Sequence, residues 1–301
     1  MNRIEEHTLK STHKGPLEVR GPLEVRRHRA TALGAAAVLG LCLALLPVAP
    51  AHAVTVVPCG NVAALRAAIT ASNTSNEAIA LAPSCTYTLT DTVSPSNGLP
   101  NVTGTFTISG YNTTISRSSA AGTPHFRLFE VASGGKLTLN SIHVVNGQVS
   151  TGDSGGAIRV SDPGSSLTVQ SGSVRESRAG FGGGIRSRSG ASVTLNSTAV
   201  IENEADESGG GVSHAGSTLT LNATTVQANT ADAEGGGLRT TSPARATLMT
   251  SRVIGNTANG PLGGGGIYEG SGSQVSLFFA TVTGNTPNQC RPTGAVPGCT
   301  G

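Results

Sequence analysis

A short motif, Gly-Gly-(Ala/Gly)-(Ile/Val/Leu), returns five times along the second half of the chain. Its apolar residues, separated by 27, 27, 26 and 29 residues, are Ile158, Ile185, Val212, Leu238 and Ile267. Two more apolar columns keep the same step: Leu139, Val169, Leu195, Leu221, Leu248 and Leu277 in one, and Val144, Val174, Val200, Val226, Val253 and Val282 in the other. Three columns that stay in step indicate an internal repeat, in which each unit forms one layer of a stack.

Within each unit apolar and polar residues alternate, as in Leu219-Thr220-Leu221, which is the period of a β-strand with one buried face. A unit of about 26 residues buries too few apolar side chains to offset the entropy lost on ordering it, so the units must stack. The pattern predicts an all-β fold, a parallel β-solenoid. A leucine-rich horseshoe has a similar period, but it needs a helical return where these units carry Gly, Ser and Thr.

Two polar columns accompany the repeat. One follows the third apolar column by three residues and consists of Asn203, Asn229, Asn256 and Asn285. We expect these side chains to form a structural ladder of amides along the axis. The other is an outward hydroxyl column of Thr138, Thr168, Thr194, Thr220, Thr247 and Ser276. The β-propensity of Thr explains this column better than an ice-binding face does, because the neighbouring outward column lacks matching hydroxyls.

The repeat and its flanks predict a single β-helix domain over residues 54–301. Residues 146–286 are its regular coils, and residues 79–145 are irregular first coils. Because the open end of a solenoid is an unpaired edge, we expect both ends to be covered. Residues 54–78 are predicted to be the N-terminal cap, and the tail 287–301 is predicted to cover the other end.

The N-terminal cap is predicted to contain a short helix over residues 61–73. Asn61 is a suitable N-cap residue, and Leu65, Ala68 and Ile69 fall on one helical face. That apolar face would cover the first coil.

Residues 1–53 have the pattern of a secretory signal peptide. A basic stretch at 26–29 precedes an uncharged apolar segment, and Ala51-His52-Ala53 supplies small residues at the cleavage positions, so we expect cleavage after Ala53. An uncleaved membrane anchor is the alternative, although Pro47 and Pro50 interrupt the apolar segment. The predicted location is extracellular, with no membrane span after cleavage.

Residues 54–301 carry 13 basic and 13 acidic side chains, and this neutrality disfavours nucleic acid as a partner.

Four cysteines follow the predicted cleavage site, two near each end of the domain. Export makes disulfides the expected state, and four cysteines allow three connectivities. We favour Cys59 with Cys85 and Cys290 with Cys299, because the long coil region holds the two ends apart. A metal site is the alternative, but no His residue has ligand spacing to these cysteines.

Two groups of charged residues are candidate sites. Arg159, Arg186 and Arg239 follow the Gly-Gly turn at equivalent outward positions, and Tyr268 belongs to the same column. Guanidinium groups pair bidentately with carboxylates, so this strip could bind anionic sugars, unless nearby glutamates neutralise it. Asp206 and Asp232 precede the Gly-Gly turns of successive coils and are weak candidates for Ca²⁺, with solvated turn carboxylates as the simpler interpretation. No cofactor is predicted.

The pairing of Gly-Gly-(Ala/Gly)-(Ile/Val/Leu) with Val-x-x-Asn, as in Val200 to Asn203, resembles the repeats of polymorphic outer membrane proteins. Those repeats carry Phe where this chain has Val, and Ala where it usually has Gly. More broadly, the chain resembles secreted right-handed parallel β-helix proteins of the pectin lyase-like superfamily. The resemblance covers residues 155–286 well and 57–145 loosely, and it implies that the coil is right-handed.

Many proteins of that superfamily cleave acidic polysaccharides, so catalytic residues are to be sought. Hydrolysis needs two carboxyl groups about 5 to 10 Å apart, and no Asp-Asp pair or Gly-His-Gly motif is present. Lyases of this type use Lys or Arg as a base, and Lys136 is the only Lys after residue 53. We therefore expect a secreted, non-enzymatic surface, adhesion or interaction module that contacts extracellular glycans or cell-surface components. The alternative is a polysaccharide lyase, a glycoside hydrolase or a glycan-binding protein.

Overall fold

The computed structural model describes residues 53–299, so the predicted leader lies outside the described residues except for Ala53. The chain forms about 9 turns of a parallel β-solenoid, with one short helix near its N-terminal end. The predicted fold class is confirmed. Among the described residues, no helix combines the length and the apolar character needed to cross a bilayer.

The first part of the fold contains the helix and the longest strands. In chain order its elements are β1 (Val54–Val57), α1 (Val62–Ser75), β2 (Ala78–Leu81), β3 (Thr86–Leu89), β4 (Thr105–Arg117), β5 (Phe129–Val131) and β6 (Lys136–Val145). The long strand β4 pairs with β2, β3 and β6, and β1 pairs with β2.

The regular coils consist of short strands at equivalent positions. They are β7 (Ile158–Val160), β8 (Ser166–Gln170), β9 (Ser173–Arg175), β10 (Arg178–Phe181), β11 (Ile185–Arg188), β12 (Ser192–Asn196), β13 (Ala199–Ile201), β14 (Glu204–Ser208), β15 (Val212–Ala215), β16 (Thr218–Asn222), β17 (Thr225–Gln227), β18 (Thr230–Ala231), β19 (Leu238–Thr240), β20 (Arg245–Met249), β21 (Arg252–Ile254), β22 (Thr257–Ala258), β23 (Ile267–Glu269), β24 (Gln274–Phe278), β25 (Thr281–Thr283) and β26 (Cys290–Arg291).

The strands stack into four ladders along the solenoid axis. The first ladder is β6-β8-β12-β16-β20-β24, and the second is β6-β9-β13-β17-β21-β25, so β6 spans the corner between them. The third ladder is β10-β14-β18-β22, and the fourth is β5-β7-β11-β15-β19-β23-β26. Neighbouring strands within a ladder are parallel. Their registers place the residues of each predicted apolar column directly over one another in successive coils. These columns form the core, which is closed to solvent except at the last coil.

The corner between the first and second ladders has one residue with positive φ in each regular coil, as Ser197 and Ala223 do. In three of these coils a buried hydroxyl side chain follows it, from Thr198, Thr224 and Ser251. The Thr198 hydroxyl donates to the Val169 carbonyl of the preceding coil at 3.0 Å, and Thr224 does the same to Leu195 at 2.9 Å. These hydrogen bonds join the corner of each coil to a strand of the coil before it.

The predicted asparagine ladder is present and buried. Each Nδ2 donates to the Oδ1 of the next coil at 2.9 Å, from Asn203 to Asn229, Asn256 and Asn285 in turn, and the Gln289 side chain accepts from the last of them. Each Nδ2 also donates to a backbone carbonyl, and each Oδ1 also accepts a backbone N–H, as Asn229 does from Asn203. The buried amides are therefore fully hydrogen-bonded within the protein.

The helix packs on the N-terminal end of the solenoid, whereas the described residues of the tail pair with only one strand of the last coil. The Asn61 side chain accepts the Ala64 N–H at 2.9 Å, and Leu65, Ala68 and Ile69 are buried, as predicted. The helix extends to Ser75 and packs against β1, β2 and β4. The structure joins Cys59 to Cys85 and Cys290 to Cys299, which is the favoured connectivity. β26 in the tail pairs with β23.

Substitution Asn229→Ala should lower the free energy of unfolding by about 2–4 kcal/mol, because it leaves buried partners on both neighbouring coils without hydrogen bonds. Asn222→Ala is the matched control, since the Asn222 amide bonds to Asn196 on the outer face, and it should cost less than about 1 kcal/mol. Urea unfolding followed by circular dichroism measures both. Equal losses would show that the buried ladder is not what stabilises the coils.

Candidate anion-binding site

The predicted arginine strip exists as an outward column of the fourth ladder. Strand pairing aligns Arg159 with Arg186, Arg186 with Ser213, Ser213 with Arg239 and Arg239 with Tyr268. The column extends beyond the predicted residues in both directions, to Glu130 on β5 and Arg291 on β26. The strip is therefore a continuous line of side chains, but its arginines have different environments.

Arg159 belongs to a neutral ion-pair cluster at the first end of the strip. It donates to Glu130 at 2.9 Å and to Asp153 at 3.1 Å, and the buried Arg127 contacts the same two carboxylates. Burial alone would raise the pKa of Asp153, but the Ser154 N–H, Arg127 and Arg159 together lower it. Two guanidinium groups thus lie against two carboxylates, and Arg159 is held in place by the protein itself.

Arg239 is also paired. Its Nε lies 2.9 Å from the Glu234 carboxylate, which comes from the turn just before β19. From the sequence, Glu176, Glu202 and Glu269 are the glutamates that could neutralise the strip, and two of them have other partners. Glu176 pairs with Arg175, and the Glu269 carboxylate accepts the Val275 N–H at 2.9 Å.

Arg186 differs from both neighbours because no carboxylate among the described residues pairs with it. Its guanidinium carbon lies 5.4 Å from the centre of the Phe181 ring, and its Nη1 donates to the Ser213 hydroxyl. Burial, together with the charges of Arg239 and Arg188, lowers the pKa of Arg186 to about 10. The group remains protonated at neutral pH, so its charge is available to a ligand.

The shape around Arg186 follows from small residues on the next coil. Ser213, the member of the strip between Arg186 and Arg239, is fully buried. A side chain at Gly209 would collide with it, because a Cβ there would lie 2.6 Å from that of Ser213. Arg186 therefore lies over a small-residue layer between Phe181 on its own coil and Arg239 two coils on. Within residues 53–299, Glu234 is the only carboxylate that pairs with Arg186 or Arg239, so this part of the strip has an excess of positive charge.

Tyr268 and Arg291 continue the strip toward the C-terminal end. With Leu262, Pro292 and Thr293 they line a shallow depression of about 220 Å³. Arg291 donates to the Leu262 carbonyl at 3.3 Å and to the Thr293 hydroxyl at 3.1 Å. Tyr268 thus lies in the strip as predicted, two coils beyond Ser213.

The two aspartates considered for Ca²⁺ lie elsewhere. Asp206 is bound by Arg178, whose Nε is 2.8 Å from Oδ1, and Asp232 accepts from Asn259 at 3.2 Å. A guanidinium group already neutralises Asp206. Within residues 53–299, no three His, Cys, Asp or Glu side chains cluster so as to hold a metal ion.

A buried histidine beneath the strip was not singled out from the sequence. His214 lies in the inward column of the fourth ladder between Ser187 and Thr240, and neither ring nitrogen has a hydrogen-bond partner. Burial and, to a smaller extent, the charge of Arg186 lower its pKa to about 4, against an opposing effect of the backbone near Arg245 and Ser217. His214 is therefore neutral at physiological pH. The sequence signal for this burial is the alignment of His214, through Ser187, with the inward residue Val160 two coils earlier.

Comparison of the chain with protein-family models, with curated proteins and with solved structures gives no match. Functional inference therefore depends on the residues of the strip.

His214 should make stability depend on pH. Its pKa is about 4 when folded and near 6.5 when unfolded, so the unfolded chain binds a proton that the folded chain does not, and about 3 kcal/mol is lost as the pH falls from 6.5 to 4. In His214→Val, which copies Val160 of the same column, this part of the loss should disappear. Denaturant unfolding of both proteins across that range measures the difference. Parallel curves would contradict the assignment.

Proposed function

We propose that this protein is a secreted, non-enzymatic β-solenoid that binds acidic extracellular glycans along the arginine strip. The observation that carries the proposal is Arg186, a protonated guanidinium that no described carboxylate neutralises. The right-handed coil and the pectin lyase-like ancestry implied by the sequence resemblance belong to this proposal. The two disulfide pairs are in accord with an oxidising compartment, and the leader pattern supports export.

The site suits a carboxylate or sulfate group. The Phe181 ring and the Ser213 hydroxyl fix the orientation of the Arg186 guanidinium, so little side-chain entropy would be lost on binding. A planar guanidinium offers two parallel N–H groups to an oxyanion. Arg239 and Arg188 add positive charge close by, as their effect on the pKa of Arg186 shows. Tyr268 and Arg291 extend the contact line for a polymeric ligand.

The best-defined pair of carboxylates near the strip is unsuited to hydrolysis. A glycosidase needs one carboxyl group that is protonated, and Asp153 has a lowered pKa because the Ser154 N–H and two guanidinium groups outweigh the effect of its burial. Glu130 contacts the same two arginines. These four side chains neutralise one another and rigidify the first coils, which is a structural role.

One observation favours a second candidate function. A lyase removes a proton beside a carboxylate, and the pKa of Arg186, lowered to about 10, brings this arginine closer to the range of a general base. In that case Arg239 would orient the acidic sugar. Elimination would leave an unsaturated sugar that absorbs ultraviolet light, so turnover distinguishes this candidate from binding.

Arg186→Gln should weaken binding to polygalacturonate, alginate or a sulfated glycan at least about tenfold, because it removes the charge while keeping an amide of similar length. Arg252→Gln is the matched control, since Arg252 is an exposed arginine on the second ladder. Calorimetry at two salt concentrations, with absorbance followed for elimination, tests both candidates. Absence of binding across the panel, or equal effects of the two substitutions, would refute the proposal, and turnover that requires Arg186 would replace it with the lyase.

A further inference from the structure

We infer that the C-terminal end of the solenoid is the contact surface for a second copy of this chain. This inference is independent of the arginine strip, because it concerns the last coil and not the outward column of the fourth ladder.

The last coil leaves two strand edges open. The first ladder ends at β24 and the second at β25, and no described strand pairs with the outer edge of either. The interior side chains of this coil are incompletely covered as well. Leu277 and Val282 are only partly buried, whereas Leu248 and Val253 at the same positions one coil earlier are fully buried. Each earlier coil is covered by its successor, and this one is not.

The tail covers only part of that end. β26 pairs with β23 on the fourth ladder, and Val296 packs into the core. At the limits of the open region two side chains bond to the edge, with Glu269 accepting the Val275 N–H at 2.9 Å and Gln289 accepting the Asn285 N–H at 3.1 Å. Between these two points, residues 276–283 present their outer edge without such a covering.

An apolar corner adjoins the open edge. Met249 is 45% exposed, Phe278 is 53% exposed and Phe279 is 94% exposed. The equivalent of Met249 and Phe278 in the preceding coil is Asn222, so the polar column becomes apolar only in the last two coils. Phe279 also has φ of 52°, a left-handed conformation that is uncommon for a bulky side chain. Large apolar side chains clustered beside an unpaired edge mark an interaction surface.

The charge pattern favours a second copy as the occupant. Residues 270–290 contain no Asp, Glu, Lys or Arg, so the edge lacks the charges that prevent strand edges from pairing. A copy brings the same uncharged edge, and nothing is repelled across the contact. It also brings the same inward apolar side chains, so that Leu277 and Val282 of each copy can be covered by those of the other.

The two ends of the solenoid differ, and this limits the assembly to a dimer. Helix α1 buries Leu65 and Ile69 against the first coils, so the N-terminal end does not present a matching open coil. Head-to-tail stacking into filaments is therefore blocked. A two-fold axis across the open ends makes the edge strands antiparallel and closes the assembly at two copies.

Phe279→Asp tests the inference. Phe279 is almost fully exposed, and Asp tolerates positive φ better than Phe, so folding should not suffer. Tyr111→Asp is the matched control, because Tyr111 is 74% exposed on β4 in the first coils. Sedimentation equilibrium of the full chain should show a dimer, with the dissociation constant raised at least about tenfold by Phe279→Asp and unchanged by Tyr111→Asp.

Hydrogen exchange locates the contact, since the Leu277 and Val282 amides should become protected as protein concentration rises. A chain that stays monomeric up to about 0.1 mM would overturn the inference, leaving another extended partner for this edge. So would a dimer that is insensitive to Phe279→Asp, or equally sensitive to both substitutions, because the contact would then lie elsewhere.

Discussion

Contact between successive coils is the interaction on which this structure depends. No coil has a core of its own, because its inward Leu, Val and Ile side chains are buried only by the equivalent side chains above and below. The same holds for polar groups: the Asn229 amide is satisfied by Asn203 and Asn256, which belong to different coils. Apolar burial gives the stack its cohesion, and the buried amides and hydroxyls fix the register at which the coils meet.

The register of the coils was predictable because one-residue slips are heavily penalised. A slip would move Leu221 out of the core and bury Thr220, so the spacing of apolar residues in the sequence equals the spacing of the coils. The helix was predictable from Asn61 and one apolar face. The buried hydroxyls of Thr198 and Thr224 were less accessible to sequence analysis, since Thr is equally common on exposed strand surfaces and only the corner geometry turns these two inward.

The candidate site was predictable in position but not in charge. Strand alternation placed Arg159, Arg186 and Arg239 in one outward column. Glu130 follows the same strand alternation on β5, but Asp153 and Glu234 come from the turns before β7 and β19, where side-chain direction is not set by any period. Sequence alone could not show that Arg159 and Arg239 are neutralised while Arg186 lies over an aromatic ring. The functional distinction among three similar arginines is therefore a property of the turns.

The buried asparagine ladder has a direction, since each amide nitrogen donates toward the C-terminal end until Gln289 receives the last bond. Every internal rung accepts and donates in the same way, so each is interchangeable with its neighbours. If one entire repeat were removed or duplicated, the Nδ2 of one asparagine would still meet the Oδ1 of another in the same geometry. Evolution can thus adjust the length of this molecule in whole-repeat steps while keeping its terminal structures unchanged.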